Sequence, residues 1–249
     1  MKKEKLLYAI GQINEDYITD AEPGKKTSNK PVWLKYVAVA ACLALALGLG
    51  ITLLTSGNGE IELPLSTGNI CVKYIEKAPA ASPKADLEWL TEEELFTKYE
   101  TAIFSGTIAE IRNIQIDYNG SIDYGAIAKI SVENVYRGDC ICGETVSVLL
   151  PGPVNMKGVW VEDTETISAM REGMRGIFMP LQYDDESFRS QNGATLYLND
   201  IADYGFLDGR RCAFLETDEG LVFAREAYDS IAAATTLGEV ENYILDMIP

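Results

Sequence analysis

The sequence predicts a mainly β fold with flanking helices, preceded by one transmembrane α-helix. Three observations support this prediction. Residues 36–55 include no charged side chain. An Asn-Gly pair separates two β-rich runs, and two capping-box patterns predict helices on either side of the β-rich part. The predicted organisation is a cytoplasmic segment (1–35), a transmembrane helix (36–55), a linker (56–86) and an extracytoplasmic β domain (87–249).

The transmembrane helix is predicted from length and from charge asymmetry. The run from Val37 to Leu54 is free of charged residues, and as a helix rising about 1.5 Å per residue it is nearly as long as the hydrocarbon core of a bilayer is thick. Four lysines lie between residues 25 and 35, whereas the first basic residue after the run is Lys73. Because basic residues stay on the cytoplasmic side, we expect a single-pass protein of the cell membrane with its N-terminus inside.

Two alternatives to a signal anchor exist for this segment, a cleaved signal peptide and a lipoprotein anchor. A cleaved signal peptide has a shorter basic region than these 35 residues and a small-residue cleavage site, which the sequence after Leu54 does not offer convincingly. The letters from Val39 to Cys42 match a lipoprotein box, but the apolar run continues well beyond Cys42. Cys42 is therefore expected to be a small apolar residue inside the helix.

Charge and composition exclude several classes of function. The formal charge is −17, and beyond residue 35 no cluster of Lys and Arg occurs that would bind a phosphate backbone. The chain contains no His, so Ser-His-Asp and Cys-His catalysis and His-ligated zinc are excluded. We therefore expect no nucleic-acid partner, no cofactor and no metal site.

The cytoplasmic segment carries a partner-binding pattern. Leu6, Ile10, Ile13 and Tyr17 fall on one stripe of an α-helix, which ends before Pro23. A helix this short is marginal in water unless its stripe docks on something. A protein partner or the inner membrane surface is the natural inference, and a tail without a partner is the alternative.

The first 55 residues contain three features in order: the run LLYAIGQINEDYITDA, a Lys-rich spacer, and the run WLKYVAVAACLALAL. In this order they resemble the start of anti-sigma-factor-like single-pass proteins of Gram-positive bacteria. The resemblance implies that the helical stripe of residues 6–17 holds a sigma factor or another cytoplasmic regulator. The His-x-x-x-Cys-x-x-Cys pattern of the zinc-bearing anti-sigma domain is absent.

The outer domain is predicted to be a β-barrel or sandwich, similar to an OB fold. Asn119-Gly120 predicts a hairpin between Ala102–Tyr118 and the strand beginning at Ile122. In that second strand Ala126, Ala128, Ile130 and Val132 share one parity and are expected to be buried. Further short strands are predicted at Ile70–Ile75, Thr145–Leu150, Arg175–Leu181, Thr195–Leu198, Cys212–Leu215 and Leu221–Ala224.

Two helices are predicted by capping boxes. Thr91 and Glu94, with Leu90 and Leu95 as a hydrophobic staple, start a short helix that runs to about Tyr99. Thr236 and Glu239 start a second helix near the C-terminus. Its apolar stripe is expected to pack on the sheet and comprises Leu237, Val240, Ile244, Leu245 and Ile248.

Four cysteines lie outside the predicted membrane helix, at Cys71, Cys140, Cys142 and Cys212. Disulfides persist outside the cytoplasm. Cys140 and Cys142 flank a single residue and would be strained as a pair, which favours a bond from one of them to Cys71 or Cys212. Four unpaired thiols are the alternative.

Two short motifs have both a functional and a structural interpretation. Asp117, Asn119, Ser121 and Asp123 alternate like calcium-loop ligands, but the glycine and the terminal Glu of such a loop are missing, so hairpin-turn chemistry is favoured. The tripeptide 137–139, Arg-Gly-Asp, matches an integrin-binding motif, and Gly-Asp is also ordinary turn chemistry.

The predicted function is a membrane-anchored extracytoplasmic binding or sensor protein without enzymatic activity, which regulates a cytoplasmic sigma factor through its N-terminal helix. Its outer domain would engage an envelope ligand or protein. One alternative is a cell-surface hydrolase that uses carboxylates from 162–165 or 184–186. Another is an envelope interaction protein without signalling.

Overall fold

The computed structural model describes residues 59–77, 90–156 and 164–248, which belong to one compact unit. The predicted cytoplasmic and transmembrane segments, and with them Leu6, Ile10, Ile13 and Tyr17, lie outside the described residues. Within the described ranges, no helix combines the length and the apolar character needed to span a bilayer.

The unit is mainly β, with a curled half-barrel sheet and few helices. Its strands are β1 Ile70–Tyr74, β2 Ile103–Tyr118, β3 Ser121–Arg137, β4 Thr145–Leu150, β5 Arg175–Phe178, β6 Leu181–Gln182, β7 Phe188–Gln191, β8 Ala194–Tyr197, β9 Tyr204–Gly205, β10 Ala213–Thr217 and β11 Gly220–Val222. Its α-helices are α1 Glu92–Thr97, α2 Glu165–Ala169 and α3 Leu237–Met247. Short 3-10 turns occur at Leu198–Asp200, Arg225–Ala227 and Asp229–Ile231.

The two longest strands, β2 and β3, pair along their length and form the central ribbon of the sheet. Asn119 and Gly120 have φ angles of 51° and 92°, as a tight hairpin turn with the right twist requires. The Asp117 carboxylate accepts a hydrogen bond of 2.6 Å from the Gly120 amide. The predicted hairpin is therefore confirmed. Asp117, one of the alternating polar residues around Asn119, stabilises the turn through this hydrogen bond.

The sheet curls because its later strands return to the start of β2. β3 pairs with β4, β4 pairs in parallel with β9, and β9 pairs with β6. β5 pairs with the first part of β2, and Thr101, just before β2, forms a bridge with Leu181 of β6. The half-barrel therefore curls around an apolar interior.

Bulges in β2 allow the ribbon to bury both of its faces. The pairing with β3 shifts between Ile108 and Glu110, and an extra residue in one strand reverses which side chains face inward. Before the shift, Phe104 and Ile108 face the half-barrel interior. After it, Ile114 and Ile116 belong to a separate cluster that is covered by β1 and β8.

The end of the ribbon that holds Ile103 and Arg137, here called the helical end, is covered by α1 and α3. Both predicted capping boxes are present, with the Thr91 and Thr236 side chains accepting from the backbone amides three residues on. Leu237, Val240 and Ile244 are buried, and Ile248 packs against them partly exposed. The prediction for Leu245 is wrong, because this residue lies about 100° around the helix from Ile244 and is 51% exposed.

The opposite end, which holds Tyr118 and Ser121, is here called the turn end. β1 pairs there with β2, so the strand predicted within the linker region belongs to the sheet. The hairpin of β7 and β8, connected by Asn192 and Gly193, lies against the same end. β7 is not among the predicted strands, and the single strand predicted over Arg175–Leu181 is divided into β5 and β6, which Pro180 separates.

Candidate functional site

A polar groove lies beside the parallel pair β4 and β9. It encloses about 350 Å³, within the range of ligand sites. Its walls come from the loop between β3 and β4, the start of β4, the end of β6 and the turn before β9. The lining residues are Asp139, Cys140, Ile141, Glu144, Thr145, Val146, Gln182, Tyr183, Asn199, Ala202, Asp203 and Tyr204.

The loop that forms the first wall is held by short-range hydrogen bonds. The Gly143 amide donates to the Val132 carbonyl at 2.9 Å, and the Val132 amide donates to the Glu144 carbonyl at 2.8 Å. The Cys142 thiol donates to the Glu133 carbonyl at 2.7 Å. This wall is therefore fixed to the end of β3 while Ile141, 59% exposed, stands at the groove surface.

The second wall is fixed by a carboxylate and a ring. Asp203 accepts hydrogen bonds from the backbone amide and the hydroxyl of Ser147, at 2.8 and 2.6 Å. The Tyr183 ring lies directly over Gly205, where even a methyl group would collide with it. Any larger residue at 205 would displace the Tyr183 side chain, so Gly205 allows Tyr183 to hold its position along the groove.

The groove is rich in hydrogen-bond acceptors and carries no basic side chain. Its carboxylates are Asp139, Glu144 and Asp203, and its amides are Gln182 and Asn199. The Asn199 side-chain oxygen is buried without a hydrogen-bond partner among the described residues. Carboxylate and amide oxygens accept hydrogen bonds, so the groove favours molecules that bring donors.

Cys140 and Tyr204 line the groove in their neutral forms. Burial raises the pKa of the Cys140 thiol above its usual range, and burial raises the pKa of Tyr204 to about 12. The two side chains are close enough for each to influence the pKa of the other. Because a nucleophilic cysteine must be a thiolate near neutral pH, Cys140 is suited to lining the groove rather than to covalent chemistry.

A second concavity, here called the apolar pocket, lies between α1 and the loop before β10. It encloses about 140 Å³ and shares no lining residue with the polar groove. A buried ion pair stands in its wall, with Arg211 Nη2 2.9 Å from Asp208 Oδ2. The other lining residues are Leu90, Leu95, Tyr99, Thr101, Met179, Leu207, Cys212 and Tyr228.

The four cysteines considered as disulfide partners lie in four different environments, and each is a free thiol in the structure. Cys71 lies on β1 with its sulfur 3.4 Å from a Glu60 carboxylate oxygen. Cys140 lines the groove, Cys142 is exposed, and Cys212 is buried in the half-barrel interior. Burial raises the pKa of Cys212 to about 12. Within the described ranges, no group of three Cys, Asp or Glu side chains is arranged to hold a metal ion.

The carboxylates considered for hydrolysis lie, where the structure describes them, in two separate segments of the chain. Residues 162 and 163 lie outside the described part, and Glu165 begins α2. Asp184 accepts from the Ser187 hydroxyl at 2.8 Å, and this bond lowers the pKa of Asp184. A general acid needs a raised pKa, whereas Asp184 stabilises a turn.

Arg137 of the Arg-Gly-Asp tripeptide is turned into the domain. Its guanidinium donates to the backbone carbonyls of Phe96 and Thr101, both at 2.7 Å, and to the Thr101 hydroxyl at 2.5 Å. The side chain connects the end of β3 to α1 and to the start of β2. This position favours the structural interpretation of the motif.

Comparison with known protein families, with characterised proteins and with solved structures finds no significant match. The interpretation of the site therefore depends on its own chemistry. Sequence reasoning drew attention to two of the groove residues, Asp139 in the Arg-Gly-Asp tripeptide and Cys140, but it did not join them to the others, which come from separate stretches up to residue 204. The pairing of β9 with both β4 and β6 brings these stretches together, and a parallel pair such as β4 and β9 is joined by a long connection that no local sequence pattern predicts.

Proposed function

We propose that this chain is a membrane-anchored binding protein whose outer domain holds a donor-rich envelope ligand in the polar groove. The observation that carries the proposal is the acceptor-lined groove without a single Lys or Arg. Carboxylates and amides bind hydroxyl, amide and ammonium groups well. Wall saccharides and wall peptides carry these groups, whereas nucleic acids and other polyanions are repelled.

The strand order is in keeping with this class of ligand. β2, β3, β4, β9 and the β5–β6 segment follow one another around the half-barrel. We infer a similarity to the partly open five-stranded barrel of the OB fold, which binds oligonucleotides and oligosaccharides. The formal charge of −17 favours the oligosaccharide class over the nucleic-acid class.

Ligand binding is tested by titrating soluble cell-wall muropeptides into the full-length chain. We expect saturable binding to the parent and at least about tenfold weaker binding to the double variant Asp139→Asn, Glu144→Gln, since each lost charge-assisted hydrogen bond is worth about 1 kcal/mol or more. The matched control is Asp218→Asn, Glu219→Gln, which removes the same charges at the exposed turn before β11. Equal affinity of both variants would contradict the proposed site.

The cytoplasmic half of the proposal is supported by the apolar stripe of Leu6, Ile10, Ile13 and Tyr17. A sigma factor is the regulator that the family resemblance implies. We expect purified sigma factor to bind the full-length chain, and Ile10→Asp with Ile13→Asp to weaken this binding by orders of magnitude, because two apolar anchors of about 1.5–3 kcal/mol each are lost. Substitutions of Gln12 and Glu15 by Asp, off the stripe, should have little effect.

If sigma factor binds neither the parent chain nor any of these variants, the remaining function is that of an anchored envelope interaction protein without signalling. The two halves of the proposal are tested separately because the substitutions at residues 10 and 13 lie far in sequence from the groove residues. Muropeptide binding therefore reports on the outer domain alone.

A further inference from the structure

The apolar pocket has the size and the walls of a site for one small ring. Its volume is about 140 Å³, and apolar cavities of about 150 Å³ hold a molecule such as benzene. Most of its lining is aliphatic, aromatic or sulfur-bearing. Leu207, 40% exposed, stands at its rim, so the pocket can be reached from the protein surface.

The polar groups in the pocket wall already have partners inside the protein. Asp208 accepts from the Arg210 and Arg211 amides at 2.8 and 2.7 Å, and from Arg211 Nε at 3.0 Å. The Tyr228 hydroxyl donates to the Arg211 carbonyl at 2.6 Å. The ion pair is therefore neutral as a unit and is held by the loop, which leaves an apolar space without a charge for an ionic ligand to neutralise.

We propose that the apolar pocket binds a neutral, single-ring aromatic molecule. Tyr99, Tyr228 and Met179 lie in its walls, and aromatic rings gain from edge contacts with other rings and from contact with thioether sulfur. A charged ring is disfavoured because its charge would be taken out of water without a partner. This site is independent of the polar groove.

The test is a titration of phenol, with benzoate as the charged comparison, into the full-length chain, followed by ligand-detected NMR and thermal melting. We expect saturable phenol binding with a raised melting temperature, and benzoate binding at least about tenfold weaker. The variant Leu207→Glu places a charge at the exposed rim, and Cys212→Leu fills the interior. Each should weaken phenol binding by about tenfold or more, while Leu245→Glu on α3, outside the pocket, should not.

Absence of saturable phenol binding to the parent overturns the proposal. Phenol binding of parental strength to Leu207→Glu also overturns it, and this surface variant decides the question even if Cys212→Leu fails to fold. Benzoate binding as tight as phenol binding would contradict the neutral ligand class. Because the pocket and the groove share no residue, none of these results bears on muropeptide binding.

Discussion

The two ends of the β2–β3 ribbon are stabilised by different interactions. At the helical end, α1 and α3 cover the sheet with a cluster of buried apolar side chains that includes Phe96, Val240 and Ile244. At the turn end, side-chain amides join two Asn-Gly turns: Asn192 Nδ2 donates to the Asn119 carbonyl at 2.6 Å. The difference teaches that apolar burial fixes where the helices lie, whereas directional hydrogen bonds fix how the turns meet.

The largest effect is expected at the helical end. Ile244 is fully buried on α3, so Ile244→Ala should lower the free energy of unfolding by about 2–5 kcal/mol, from lost burial and the cavity that remains. Leu245→Ala, at the neighbouring exposed position, should change it by less than about 1 kcal/mol. Chemical denaturation measures both. Equal losses would mean that α3 does not pack by this face.

A smaller effect is expected at the turn end. Asn192 has a φ of 49° and makes the amide contact with Asn119, so Asn192→Ala should cost about 1–3 kcal/mol from lost hydrogen bonds and left-handed backbone strain. Asn192→Gly removes only the hydrogen bonds and should cost less. If the two variants melt alike, backbone conformation contributes nothing at this turn.

The smallest effect is expected between the two ends, at Glu133. The hydroxyl of Thr107 donates to its carboxylate at 2.7 Å and Arg175 pairs with it at 2.7 Å, which lowers the pKa of Glu133 from 4.5. A lowered pKa stabilises the fold above pH 4.5, and this stabilisation is lost as the pH falls through the lowered value. Because both side chains are partly exposed, we expect about 1 kcal/mol or less.

The measurement for Glu133 is the free energy of unfolding between pH 3 and 7, with Glu133→Gln as the variant. The variant should be slightly less stable than the parent near pH 7, and the difference should vanish at the acidic end. Glu219→Gln, at the exposed turn before β11, is the control. A difference that persists unchanged at pH 3 would show that ionisation of Glu133 is not its source.

Local signals predicted much of the fold, and long-range contacts account for what they missed. The hairpin at Asn119-Gly120 and both capping boxes depend on residues within four positions of one another. The Asn-Gly pair at 192–193 gives the same signal, but no hairpin is predicted there because Phe188–Gln191 lacks an apolar alternation. All four of these residues are exposed. Ile127 has the opposite parity to the residues predicted to be buried in this strand, yet it is buried in the separate cluster at the turn end.

The candidate site was beyond sequence reasoning for a physical reason. Groove residues such as Glu144, Gln182 and Asn199 are common surface types, and each alone reads as a solvated polar residue. Only the curl of the sheet places them in one concavity. The cysteines were visible in the sequence, but the difference between buried Cys212 and exposed Cys142 depends on the tertiary fold.

The central claim, an outer domain on a membrane anchor, is tested most directly by labelling intact cells with a membrane-impermeant maleimide. Cys142 is exposed, whereas Cys212, with its pKa raised to about 12 by burial, is an internal control that should resist the reagent. An introduced Ser28→Cys reports on the N-terminal segment, and a parallel sample with reductant reveals any disulfide at Cys142. We expect Cys142 to be labelled in intact cells and the cysteine at position 28 only after permeabilisation. Labelling of position 28 in intact cells, with Cys142 protected even after reduction, would contradict the account.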